Sequence, residues 1–326
     1  MGPAYASPEP EYHIPVLLPE VLDLLAIRDS GTYVDATLGG GGHSRAILDR
    51  LGPEGRLIGI DQDADALARA EEWGAPYGGR FSAVRGNFGN LASALRSPGR
   101  ACLDGILFDL GVSSHQLDVP GRGFSFRAGG PLDMRMDDRS PTTAEHIIRT
   151  WRAEDIEKTI REYGEERFAG RIARAIVRER ENIRTTADLA YVVKGAVPKA
   201  HGPERIHPAT RTFQALRIEV NGEMDALRRG LSTAITLLKP GGRVVVISYH
   251  SLEDRIVKTF FREQATGCIC PPRLPICMCH HRATVGLVTK KALAPSELEI
   301  AGNPRARSAR ARAAERLPDA PEADTA

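Results

Sequence analysis

The sequence predicts an α/β protein: a mostly parallel sheet with helices on both faces, interrupted by one helical insertion. Three observations predict it. Strand-sized apolar runs alternate with helical stretches between Pro19 and Asp109. The alternation stops from about Ser114 to His207, where no strand pattern is found. It resumes after Thr212 and ends in the apolar run Arg243–Ser248. Alternation of this kind places a parallel sheet between helical layers, and a long strandless interruption reads as a unit inserted into that sheet.

The elements follow in order. Pro19 opens a short helix reaching Ala26, because proline is pre-organised for a first helical turn. Thr32–Ala36 (TYVDA) is a strand that empties into Gly39–Gly42, followed by a helix over His43–Leu51. Arg56–Asp61 is the second strand, Ala64–Glu72 a helix, and Phe81–Val84 the third strand, which ends at Gly86-Asn87-Phe88 and a short helix. Leu103–Asp109 (LDGILFD) is the fourth strand. Residues 114–141 are loop-like, with Pro120, Gly121, Gly123, Gly129, Gly130 and Pro131. Residues 142–196 are helical, with Ile172, Ile176 and Val177 at helical spacing. Thr212–Leu238 reads as one long helical stretch stopped by Pro240-Gly241-Gly242. Arg243–Ser248 (RVVVIS) is the fifth strand and Leu252–Gln264 a helix; a cysteine-rich segment and Val285–Thr289 follow, and Ser308–Ala314 suits an edge strand.

The domain plan is then a loose arm over 1–11, a discontinuous core domain over 12–113 and 208–316, a mainly helical insertion over 114–207, and a disordered tail over 317–326. No internal repeat is present. With 326 residues and 42% hydrophobic composition the chain can bury one large core, or a core and a smaller inserted one. A net charge of +2 does not exclude a nucleic-acid partner, since arginines can cluster. No leader pattern opens the chain, and no apolar run approaches bilayer length, so a cytoplasmic protein without membrane contact is expected. Five cysteines, four of them between Cys268 and Cys279, do not make a secreted disulfide framework.

The glycine run is the first candidate site. Where a strand empties into a helix, glycines let a ligand approach the backbone, and the helix offers unpaired N–H groups and a positive dipole end. A flexible turn would look the same, and the GxGxxG fingerprint of dinucleotide cofactors is absent. Asp61 adds to it, because it ends the second strand about 20 residues on, where a carboxylate can accept both ribose hydroxyls. Phe88 is placed to lie against an adenine ring. Asp109 ends the fourth strand, pointing to the crevice outside the strand ends where open α/β sheets bind ligands. There it can hold a cofactor ammonium or accept a proton from a substrate amine.

Eight stretches then resemble one bacterial family in order: HIPVLLPEVLDLL from His13, VDATLGGGGHS from Val34, GIDQD from Gly59, LFDLGVSSHQLD from Leu107, GRGFSFRAGGPLDMRMD from Gly121, HPATRTFQALRIEVNGE from His207, LKPGGRVVVISYHSLEDRIVK from Leu238 and NPRARSARARAAE from Asn303. The family is that of the small-subunit ribosomal RNA (cytosine-N4)-methyltransferases, called RsmH or MraW. The resemblance implies a class I methyltransferase fold, Rossmann-like, with S-adenosylmethionine (SAM) as cofactor. It implies methylation of the exocyclic N4 of a cytidine in the decoding region of 16S ribosomal RNA, with the small ribosomal subunit as partner. The family's cofactor contacts carry over to Gly41, Gly42, His43, Asp61, Phe88, Asp109 and Gln116, of which His43 and Gln116 come from the resemblance alone.

Asp109 and the carbonyls of Leu110-Gly111 are, by analogy with other amino-methylating enzymes, candidates to accept the N4 hydrogens. The target base must leave its stack to reach the methyl, which suits a deep crevice walled by the insertion. His250 after the fifth strand can relay a proton or touch RNA, and His207 and Arg211 can line a substrate channel. In the insertion, Arg122, Arg127 and Arg135 sit among Phe124, Phe126 and Met134, a basic–aromatic mixture that suits single-stranded RNA. Arg305, Arg307, Arg310 and Arg312 form a basic run suited to phosphates. Cys268, Cys270, Cys277 and Cys279 form two C-x-C pairs that suit either a zinc site or a compact loop with reduced thiols; the resemblance implies no metal there. A homodimer is compatible with all of this.

Overall fold

The computed structural model describes residues 15–95, 103–198, 207–268, 270, 278–279 and 281–319. The expected arm over 1–11 lies outside them, as does the tail from 320 onward. The chain divides into two units, one formed by 1–111 with 226–326, the other by 112–225.

The first unit holds a seven-stranded sheet in the order β3-β2-β1-β4-β5-β7-β6. Its strands are β1 (Thr32–Asp35), β2 (Arg56–Asp61), β3 (Phe81–Arg85), β4 (Leu103–Asp109), β5 (Leu238–Ser248), β6 (Val285–Leu287) and β7 (Arg310–Arg316). The first five run parallel, and β7 runs antiparallel to both β5 and β6. Order reverses between β1 and β4, so the crevice at the ends of those strands is the natural ligand position. Helices α1 (Leu18–Leu25), α2 (Gly42–Arg50), α3 (Ala64–Gly74) and α4 (Leu91–Ala94) belong to this unit. β4 is buried from Leu103 to Phe108, as expected of a central parallel strand covered on both faces.

The second unit is helical: α5 (Ser114–Asp118), α6 (Ala144–Thr150), α7 (Ala153–Gly164), α8 (Ala169–Glu179), α9 (Thr186–Ala196) and α10 (Ala209–Asn221). Its core joins Ile147, Ile156, Ile160, Ile172, Ile176 and Leu189 to Phe213, Leu216 and Val220 of α10. That packing extends the inserted unit to Asp225, beyond the boundary expected at 207. The chain returns through α11 (Glu223–Leu237) and adds α12 (Ser251–Gln264) and α13 (Glu297–Gly302) to the first unit.

Three element readings are corrected. The expected helix over 212–238 is two helices, broken where Gly222 takes a left-handed φ of 58° and its N–H caps the Glu219 carbonyl. Asn221 beside it bonds the backbone of Met134 and Met136, which fixes the break. β5 begins at Leu238 rather than Arg243, with a register irregularity against Leu103–Gly105 that takes up Pro240 and the two glycines. β7 is not an edge: it lies between β5 and β6, with Ala311, Ala313 and Ala314 fully buried. Arg312 within it is spent on a bidentate pair with Asp254 at 2.7 and 3.1 Å.

Candidate active site

The glycine loop is shaped first by its own protein. Gly39 and Gly41 have φ of 49° and 76°, a region that costs other residues about 1–2 kcal/mol. A Cβ on Gly41 would sit 2.4 Å from the Trp73 ring, and one on Gly42 would sit 2.7 Å from Pro15. No side chain caps α2 at Gly41, so the first turn of the helix is uncapped at the place where an anion or carboxylate is favoured. Gly41→Ala is expected to lower the stability of the free protein by about 2–4 kcal/mol, adding overpacking against Trp73 to backbone strain. Thermal unfolding without cofactor checks this; a variant as stable as the parent would mean that Trp73 moves aside freely.

Asp61 ends β2 and ties the loop to it. Its Oδ2 accepts the Gly39 N–H at 2.8 Å and its Oδ1 accepts the Asp63 N–H at 2.9 Å. Burial pushes its pKa up to about 6, although these two N–H groups pull the other way. A carboxylate with one bond to each oxygen still has lone pairs for a diol. Phe88 follows β3 and is half-buried, edge-on to Phe108 with ring centroids 5.8 Å apart. Asn87 caps the turn at Gly89 and bonds Gln62, which fixes Phe88 in place.

Asp109 ends β4. Its backbone N–H donates to the Thr37 hydroxyl at 2.6 Å, and its Oδ1 accepts the Tyr249 hydroxyl at 2.8 Å. Its Oδ2 lies 3.4 Å from His43 Nδ1. His43, buried in the first turn of α2, places Nε2 3.0 Å from the Val16 carbonyl. Both ring nitrogens therefore face acceptors, which only the imidazolium satisfies twice. Burial opposes that charge, but the Asp109 carboxylate, Asp35 and the Val16 carbonyl outweigh it and raise the pKa of His43. Asp35 is buried behind it and accepts the Ser44 hydroxyl at 2.7 Å; burial raises its pKa despite that bond. Tyr249 is held well above the usual phenol range by burial and the Asp109 charge, so it stays a donor.

The other candidates have structural partners. Gln116, in the helical unit, completes a capping box with Ser113 at the start of α5. His250 caps α12, with Glu253 accepting the N–H groups of Tyr249 and His250. The Nε2 of His250 comes within 3.0 Å of Glu253 Oε1 without hydrogen-bond alignment. Arg135 spends its guanidinium on Asp133, at 2.8 Å for each oxygen, and on the carbonyls of Asp138 and Ser140. His207 stacks on Phe126 at 4.7 Å and accepts the Ala209 N–H. Arg211 is half-exposed beside Glu166, with one bond to the Glu165 carbonyl. Arg122 is turned onto the carbonyls of Arg135 and Met136. Sequence reasoning assigned Tyr249 no task; its bond to Asp109 spans 140 positions.

The sequence of the chain has counterparts among known proteins. Residues 11–317 match the model of the MraW methylase family. The chain belongs to the MraW methylase family. Its cofactor is therefore SAM, and the sheet is that of a class I methyltransferase. A protein of Trichlorobacter lovleyi is 52% identical over 94% of this chain and 98% of its own length. One of Syntrophotalea carbinolica is 53% identical over 94% and 98%, and one of Thermomicrobium roseum 52% identical over 96% of each. All three are called ribosomal RNA small subunit methyltransferase H. Among the described residues, no helix is long and apolar enough to cross a membrane.

Proposed function

We propose that this methylase transfers the methyl of SAM to the exocyclic N4 of a specific cytidine in the decoding region of 16S ribosomal RNA, within the small ribosomal subunit. The relatives' shared name supports the RNA and the subunit. The observation that carries the amine chemistry is the Asp109 carboxylate, oriented by Tyr249 on one oxygen and faced by His43 on the other.

The residues present fit the cofactor. Asp61 would take the ribose diol, Phe88 the adenine ring, and the backbone from Gly39 to Gly42 the methionine end. His43 acts through Asp109, since both its nitrogens are engaged by protein. Bound SAM supplies an electrophilic methyl for in-line displacement. Cytosine N4 is a weak nucleophile, because its lone pair is delocalised into the ring. Asp109 accepts an N4 hydrogen, which localises that lone pair and fixes its approach. Once methylated, the nitrogen is cationic and strongly acidic, so even a weak base such as a carboxylate takes its proton. Tyr249 and His43 keep Asp109 aimed while it waits. Arg211 and His207 are the RNA contacts this reading keeps in the helical unit; Arg135 in that unit, and His250 in the sheet unit, serve through the backbone they hold.

The test is radiolabelled SAM with small subunits that lack the modification, followed by nucleoside analysis. Label in N4-methylcytidine is expected. Label at another ring position or on a ribose, or RNA binding without transfer, overturns the reading.

A further inference from the structure

The segment between α12 and β6 takes no part in methyl transfer as derived above. It leaves and returns at one point: the Thr284 N–H donates to the Gln264 carbonyl at 2.8 Å, and the Thr284 hydroxyl to Gln264 Oε1 at 2.6 Å. Inside this closed excursion, Cys268, Cys270 and Cys279 bring their sulfurs within 4.8 Å of one another. None of the three is in a disulfide. Cys268 Sγ and Cys279 Sγ are 3.7 Å apart. Tetrahedral zinc with Zn–S bonds of roughly 2.3 Å separates its sulfurs by about 3.8 Å, so this pair already has the spacing of one tetrahedral edge. The Met278 N–H donates to Cys270 Sγ at 3.3 Å, the kind of outer-shell bond that stabilises a ligating thiolate.

We propose that Cys268, Cys270 and Cys279 form a structural zinc site that holds this excursion closed between α12 and β6. The proposal goes beyond the methyl-transfer reading and does not depend on it. The three thiolates supply three corners of a tetrahedral site. Zinc suits the set because thiolates are soft ligands and a structural site needs no redox chemistry.

Elemental analysis of the full-length protein, purified without chelator and then dialysed, tests this. Stoichiometric zinc is expected, falling to background in Cys268→Ser and in Cys279→Ser. Cobalt(II) loading of the parent should give an intense thiolate-to-cobalt charge-transfer band in the near ultraviolet, lost in both variants. Binding of SAM serves as the fold control, because none of these cysteines belongs to the cofactor residues. Absence of stoichiometric zinc from parent protein that binds SAM overturns the proposal. So does zinc retained by the doubly substituted Cys268→Ser, Cys279→Ser chain, or iron in its place.

Discussion

Asp109→Asn is expected to lower kcat by about 10²–10⁴ while SAM binds within a few-fold of its parental affinity. The substitution keeps the size of the side chain and leaves one oxygen to accept the Tyr249 hydroxyl. It removes the charge that faces His43 and the second acceptor that the N4 hydrogen needs. Single-turnover rates on small subunits and equilibrium SAM titration separate the two effects. If SAM affinity falls in proportion to turnover, Asp109 holds the cofactor and the proton acceptor lies elsewhere. Tyr249→Phe supplies the graded control: the carboxylate stays and its bond of 2.8 Å is lost. A loss of about ten- to a hundredfold in kcat with KM unchanged is the pattern expected when one charge-assisted hydrogen bond of about 1.5–3 kcal/mol orients a reacting group. A larger fall in SAM affinity than in kcat would point to a packing role for the ring.

How much of this was readable beforehand differs by residue, for identifiable reasons. Asp61 and Asp109 were legible because each is the last residue of a parallel strand, and strand ends in such sheets face the ligand crevice. The fold was legible for the same reason, since strand–helix alternation leaves few other arrangements. The partner of Asp109 was not. Tyr249 reaches it because β4 pairs with β5 in a register that sets Asp109 opposite Ile247, and no local spacing encodes that. The local partners of other polar residues were not read from the sequence either. Gln116 stands three after Ser113, and Glu253 three after His250; S-x-x-Q is a capping-box pattern that could have been recognised from spacing. Arg135 stands two after Asp133, and its position among aromatics gave no sign that its donors are consumed within the loop. β7 was underrated because alanine is a poor strand former, whereas here small side chains are what a strand buried between β5 and β6 accommodates. Gly222 was passed over inside an apolar helical pattern, though Asn-Gly is a common helix stop.

Asp61→Asn is expected to weaken SAM binding about 100-fold, through two charge-assisted bonds to the ribose diol of about 1.5 kcal/mol each. Its pH dependence gives the sharper check, because binding and stability should move in opposite directions. The charged form of Asp61 is the one that accepts both hydroxyls. Burial raises its pKa from 3.8 to about 6 in the free protein, so SAM affinity should decline as pH falls through 6, not through 4. The stability of the free protein carries the opposite sign. The unfolded chain binds the Asp61 proton only near its ordinary pKa, whereas the folded chain binds it from about 6 downward. Folding is therefore favoured as pH falls from 6 towards 4, and this contribution is lost as pH rises through 6. The Asn variant should lack both slopes: a flat SAM affinity between pH 5 and 7, and a smaller rise in unfolding free energy on acidification. Titration calorimetry and denaturant unfolding at matched pH values measure the two. If the parent keeps full SAM affinity at pH 5, or if the variant shows the same pH slope in affinity, then Asp61 is not the group whose charge holds the ribose.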